Sequence, residues 1–216
     1  MRITLIDAGK RYNRDWIFRH LSYEFQQGNS YAITGPNGSG KSTLLQAIAG
    51  AIGISEGALR YQQAAAAGNP AVMAAAEIPP DQVYNYFSLA APYLELIEEM
   101  TVTEFLQFHQ AFKPLLSHYT IPEIVAQVGL GTAGHKQIRY YSSGMKQRVK
   151  LAQALFSDTP VVLLDEPCTN LDTEGIERYQ QLIRDHCAGR LVIVSSNDVQ
   201  EYAFCREKIS IMDFKK

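Results

Sequence analysis

Residues 35–42 read Gly-Pro-Asn-Gly-Ser-Gly-Lys-Ser, the pattern G-x-x-x-x-G-K-[ST], and they sit where a short β-prone run, Ser30 to Thr34, gives way to a helix-spaced one. The helix begins at Lys41 and places Leu44, Leu45 and Ile48 on one face. A glycine-rich loop between strand and helix lets successive N–H groups and the helix N-terminus approach a polyphosphate, so the ligand class read from the loop is a nucleoside triphosphate. The candidate binding residues are Gly35, Pro36, Asn37, Gly38, Ser39, Gly40, Lys41, Ser42 and Thr43. Lys41 would reach β and γ oxygens, and the Ser42 hydroxyl would ligate Mg²⁺. The plain alternative, a Gly/Ser/Asn-rich turn with a stray lysine, does not account for the strand and helix on either side.

The rest of the chain is punctuated to match. Val161 to Leu164 and Leu191 to Val194 are unbroken apolar runs, as expected of strands covered on both faces in a parallel sheet. Strand-like segments are also read at Arg2 to Ile6, Leu21 to Phe25 and Lys208 to Met212. Between the two central runs, Thr173 to Cys187 carries Ile176, Tyr179, Leu182 and Ile183 at helical spacing. That makes a strand–helix–strand crossover and an α/β fold. Thr101-Val102-Thr103-Glu104 has the form of a capping box, and a second helix start is read at Thr120 to Glu123, ending at Gly129. These helices make a lobe inserted in the α/β core. The alanine-rich stretch Ala64 to Ala76 is read as a variable surface excursion.

With 216 residues, 46% of them hydrophobic, the chain can bury one sizeable core. A net charge of -2 offers no electrostatic case for nucleic acid, and no nucleic acid partner is expected. No apolar run approaches a bilayer's thickness and Met1 to Thr4 does not open a signal peptide, so a cytoplasmic location is expected. Cys168, Cys187 and Cys205 are odd in number and widely spaced, which predicts buried, inert thiols.

Two further stretches carry chemistry. The run Val161 to Leu164 ends in Asp165-Glu166-Pro167; at the carboxyl end of a central strand beside the loop, Asp165 would hold Mg²⁺ through its water shell, and Glu166 would polarise the attacking water. Tyr141-Ser142-Ser143-Gly144-Met145 opens a helix with hydroxyls and a glycine, either as an ordinary N-cap or as an anion site for a γ-phosphate held by another subunit.

In this order the motifs resemble those of ATP-binding cassette (ABC) transporter nucleotide-binding subunits. Gly35 to Ser42 matches the family's Walker A loop, Ser142, Ser143, Gly144 and Met145 are similar to its LSGGQ signature, and Leu164 to Pro167 matches Walker B. Thr169-Asn170-Leu171-Asp172 fits the D-loop, with Asp172 its acidic residue. Tyr12 stands at the place of the A-loop aromatic that stacks on adenine, with Trp16 a competing candidate. The resemblance implies a single ABC ATPase domain over residues 1–216: a P-loop NTPase core with a mainly parallel sheet, an antiparallel β subdomain and a helical subdomain over about 93–155. It implies ATP and Mg²⁺ as cofactors and a head-to-tail homodimer, each ATP lying between Walker A of one copy and the signature of the other. Because the chain lacks a membrane segment, a separate transmembrane subunit is expected to hold it at the cytoplasmic face, docking around Ala90 to Glu99; export is the favoured direction.

Three departures from the family stand out, the last covering two residues. Ala90 stands where its Q-loop glutamine is expected, Ser195-Ser196-Asn197-Asp198 places Asn197 at the switch histidine, and Ser143 and Met145 replace a glycine and a glutamine of the signature. Asn197 donates a hydrogen bond but carries no charge and shuttles no proton, so slower turnover is expected.

Overall fold

Strand β6 (Val161–Asp165) and strand β7 (Leu191–Ser195) are buried at every residue, because the period-two alternation of a strand sends apolar side chains to both faces of a covered sheet. In the computed structural model, which describes residues 1–63 and 76–215, they form the centre of a five-stranded parallel sheet. The remaining strands are β3 (Ser30–Thr34), β5 (Phe87–Ala90) and β8 (Glu207–Ser210), and the order across the sheet is β5-β6-β7-β3-β8. A second sheet, antiparallel, has β1 (Arg2–Tyr12) between β2 (Asp15–Gln26) and β4 (Glu56–Gln62).

Odd and even residues of the central strands feed two separate cores. Val161, Leu163, Leu191, Ile193 and Ile33 meet α1 (Lys41–Ile48), through Leu44, Leu45 and Ile48, and the inner face of the antiparallel sheet, through Ile3, Leu5, Phe18 and Phe25. Val162, Leu164, Val192, Val194 and Ala90 face the other way, toward α2 (Val102–Gln110), α3 (Ile121–Gln127), α4 (Ser143–Phe156) and α5 (Thr173–His186). Each such fully buried Val, Leu or Ile contributes roughly 1.5–3 kcal/mol of burial free energy. Cys168, Cys187 and Cys205 are free and buried, and burial pushes the Cys187 and Cys205 thiols up to about 11 and about 12, so they are protonated at neutral pH.

The helical segments begin as the sequence predicts. Thr101 caps α2 in a full capping box, its Oγ1 accepting the Glu104 N–H at 3.2 Å while the Glu104 carboxylate accepts the Thr101 N–H at 2.7 Å. Thr120 and Glu123 repeat the arrangement at α3, and Gly129, at φ 74°, follows its end.

Several boundaries differ from the sequence reading. Strands β1 and β2 run much further than Arg2 to Ile6 and Leu21 to Phe25, meeting at a two-residue turn over Asn13 and Arg14, with Asn13 at φ 53°. The last strand stops at Ser210 rather than Met212, because the Ser210 hydroxyl accepts the Met212 N–H at 3.3 Å and starts a 3₁₀ turn, Ile211–Phe214. Strands β4 and β5 were not anticipated. The expectation for Ala64 to Ala76 falls almost wholly on residues 64–75, outside the described residues.

Gly57 in β4 shows why no other residue serves there: at φ +79°, a Cβ would lie 2.2 Å from the Asp7 carbonyl oxygen and 2.4 Å from that of Ile6. Gly57→Ala therefore adds backbone strain to a backbone clash, and thermal or urea unfolding should show a loss of roughly 2–4 kcal/mol.

Candidate functional site

The phosphate loop leaves β3 at Thr34 and enters α1 through Gly40, the N-cap, at φ 100°. That left-handed conformation suits glycine, and Ile17 Cγ2 lies only 2.2 Å from where a Cβ would stand. No side chain caps α1 and its first turn holds no acidic residue, so its free N–H groups and positive dipole end serve an incoming anion. Lys41 is 4% exposed, and its Nζ donates to the carbonyls of Gly35 at 2.9 Å and Pro36 at 3.2 Å, arching over the loop. Ser42 and Thr43 lie half-buried in the first turn, and the buried Ser39 hydroxyl has no hydrogen-bond partner among the described residues.

Strand β6 brings Asp165 to the same end of the sheet as β3's loop. Asp165 is 2% exposed, stands in register with Ser195 of β7, and its Oδ1 has no hydrogen-bond partner among the described residues. A buried, unpartnered carboxylate oxygen is costly unless a cation or its water shell satisfies it. With the Ser42 hydroxyl, this donor set fits a hard, oxygen-preferring ion such as Mg²⁺. Glu166 follows, half-buried, at φ 43°, its N–H donating to the Ser195 carbonyl at 2.9 Å. The left-handed backbone turns the chain sharply at the strand's carboxyl end, where ligands of parallel sheets bind.

Asn197 lies just past β7 and is exposed, with Nδ2 3.1 Å from Asn37 Oδ1 of the loop. The sequence-read switch position and phosphate loop are thus in direct contact. A residue the sequence reading missed lies beneath them: Glu201, in the short helix α6 (Val199–Tyr202), is 4% exposed and accepts the Cys168 N–H at 2.7 Å. Burial raises its pKa, and the Ser196 hydroxyl and Cys168 N–H oppose the rise. This carboxyl ties the turn after Glu166 to the turn holding Asn197; an acidic residue one turn into a helix gives no sequence signal of such a role.

Ser142, Ser143, Gly144 and Met145 lie elsewhere, at the start of α4. Ser142 is the N-cap, its Oγ accepting the Met145 N–H at 3.3 Å, so the bland capping role exists whatever else the residue does. These residues line a cavity of about 320 Å³ together with Asn170, Leu171 and Asp172, so the signature and D-loop segments form one concave surface. A Cβ at Gly144 would meet the Asn170 carbonyl oxygen at 2.7 Å. Asp172 caps α5, accepting the Gly175 N–H at 2.8 Å, and that bond, with Arg148 at 3.3 Å, holds its carboxyl below the usual range.

Tyr12 ends β1 opposite Asp15, is 47% exposed, and has the Lys10 ammonium 5.0 Å from its ring centre. Trp16 is more enclosed, with the guanidinium groups of Arg19 at 4.5 Å and Arg11 at 5.4 Å. Both rings thus carry cations, and Tyr12 is the more exposed of the two. Ala90 ends β5 with no exposure at all, so its methyl group is part of the core.

Among known proteins, a sequence model of the ABC transporter family matches residues 18–169. The chain is 33% identical over 198 residues to the cytochrome c biogenesis ATP-binding export protein CcmA of Mesorhizobium japonicum, covering 91% of each. The CcmA of Agrobacterium fabrum is 31% identical, with 91% of this chain and 89% of that protein covered. In fold it is similar to the dimeric bacterial ABC transporter cassette MJ0796, with a TM-score of 0.77 at 20% identity over 97% of this chain and 94% of the other.

Proposed function

Because this chain belongs to the ABC transporter family, we propose that it is the subunit whose ATP hydrolysis drives a separate transmembrane partner, working as a head-to-tail pair of copies. The observation that carries the reading is the buried, unpartnered Asp165 oxygen at the end of β6, beside a phosphate loop that offers free N–H groups and an enclosed lysine.

In this reading Gly35 to Thr43 cradle the phosphates, Lys41 exchanges its loop carbonyls for β and γ oxygens, and Tyr12 stacks on the base. Ser42 and Asp165 would hold Mg²⁺, which when bound would supply positive charge against the phosphates. Glu166 accepts the proton of the attacking water. The concave surface of Ser142 to Met145 and Asp172 faces the γ-phosphate of the opposite copy, through the N–H groups at the start of α4. Residues 1–216 act as one ATPase domain, with the lobe over about 93–155 and the Ala90 to Glu99 segment meeting the membrane partner. No helix among the described residues is long and apolar enough to cross a membrane; in this reading the transmembrane partner supplies that span and this chain sits at the cytoplasmic face. The export named in both relatives supports export here. Affinity purification from detergent-solubilised membranes should bring down a polytopic membrane protein; a chain recovered in full without one contradicts the transport role.

Asn197 marks a departure with a measurable consequence. Having no titrating switch residue against Asn37, the site should hydrolyse ATP with a nearly flat pH profile between about pH 6 and 8, where an unperturbed histidine changes charge. Asn197→His should raise turnover and add a pH-dependent limb. No gain in rate contradicts the assignment of Asn197 to that position.

A further inference from the structure

Among the described residues, four buried side-chain polar atoms have no hydrogen-bond partner, and three of them, Ser39 Oγ, Asp165 Oδ1 and Ser195 Oγ, belong to the ends of β6 and β7 or to the loop after β3. In the proposed function the phosphates meet Ser39 and the metal meets Asp165, and nothing uses Ser195. Four apolar residues precede Ser195 in β7, and it is as fully buried as they are. A hydroxyl buried there without a partner costs free energy that an alanine or valine would not.

Register and alternation fix what the hydroxyl faces. Ser195 stands in parallel register with Ile33 of β3 on one side and with Asp165 of β6 on the other. Leu163 and Ile193, two residues earlier in their strands, point into the core beneath α1, so Asp165 and Ser195 share that face. Ile33 offers hydrocarbon and Asp165 a carboxylate, so the polar neighbour of Ser195 across the ladder is Asp165. Adjacent strands lie about 4.8 Å apart, a gap that rotation about one serine side-chain bond closes to a hydrogen bond. The backbone around Ser195 is held on both sides: its carbonyl accepts the Glu166 N–H at 2.9 Å, and the Ser196 N–H donates to the Ile33 carbonyl at 3.1 Å. The hydroxyl is the part left free to turn.

We propose that Ser195 is a positioning residue for the metal site, its hydroxyl donating to the Asp165 carboxylate when that carboxylate engages the cation's water shell. An ionised carboxylate has acceptor sites on both oxygens, and a donor on one of them fixes the direction in which the other points. Asn197, two residues further on, touches Asn37 of the phosphate loop at 3.1 Å, so the end of β7 would bear on the nucleotide through one group and on the metal through another. That role depends on the reading of Asp165 as a metal-holding residue.

The test separates the two. In a Glu166→Gln background, which slows turnover, ATP affinity is measured by calorimetry with Mg²⁺ and with EDTA, and the ratio of the two is the readout. The parent should bind more tightly with Mg²⁺. Ser195→Ala should lower that ratio by about tenfold, the lower end of what losing a donor behind a metal-holding group does, while leaving the EDTA affinity unchanged. Ser195→Cys, close in size but only a weak donor, should lower it likewise. In the nucleotide-free protein, Ser195→Ala should unfold at the same urea concentration as the parent or at a higher one, because it removes an orphan hydroxyl. The role of Ser195 alone is overturned by an unchanged ratio in Ser195→Ala, by a ratio that Ser195→Cys preserves, by an equal loss of affinity with EDTA, or by a lower urea midpoint. A parent whose affinity ignores Mg²⁺ overturns the metal assignment, and the inference with it.

Discussion

Glu166→Gln should lower Mg-ATP hydrolysis by roughly 10²–10⁴-fold, the range ascribed to a positioned general base, while ATP binding stays close to that of the parent. The amide keeps the size and the turn geometry, since the fold needs only the left-handed backbone and the N–H bond to Ser195, neither of which involves the carboxylate. What it loses is the capacity to accept a proton. Single-turnover rates of the two proteins decide the point. Equal rates would mean that Glu166 does no chemistry and would favour a different protein, an ATP-dependent binding module with slow hydrolysis, for which Ala90 and Asn197 already argue.

Gly144→Asp is expected to be nearly as damaging, by a different route. The new Cβ would meet the Asn170 carbonyl at 2.7 Å, which forces the D-loop segment away from α4, and the carboxylate would repel a phosphate approaching the helix N-terminus. Hydrolysis should fall by roughly 10²-fold or more, as when a preorganised donor to a transition-state charge is lost. Because Gly144 and the phosphate loop lie on different parts of the chain's surface, the variant should bind ATP as a monomer with unchanged affinity. Loss of ATP binding along with hydrolysis would place Gly144 in the same half-site as Lys41 and contradict the split arrangement.

How much of this was legible in the sequence depends on whether a residue's role is set by its neighbours in the chain. The loop at Gly35 to Ser42, the run ending in Asp165-Glu166, and the crossover helix α5 announce themselves through local pattern, because strand and helix period and glycine content are local properties. Strand β4 escaped because Glu-Gly-Ala-Leu-Arg-Tyr-Gln has no clean alternation; its place is fixed by pairing with β1, from Arg2 opposite Gln62 to Gly9 opposite Glu56. Strand β5 is only four residues long and, among the described residues, pairs with β6 alone. At the candidate site the same distinction holds. Asn37 and Asn197 are 160 positions apart, yet their side chains touch. Glu201 reaches Cys168 across 33 positions. The departure at Ala90 was visible in the sequence, but its complete burial at the end of β5 was not.

The central claim is that one copy of this chain carries two half-sites, and that ATP is closed between copies. Sedimentation equilibrium of the Glu166→Gln protein, with and without Mg-ATP, tests it most directly. The account predicts a monomer without nucleotide and a species of twice that mass, holding two ATP, with it, and no such shift in the Glu166→Gln, Gly144→Asp double variant. A protein that binds one ATP per chain and stays monomeric at every concentration would contradict it.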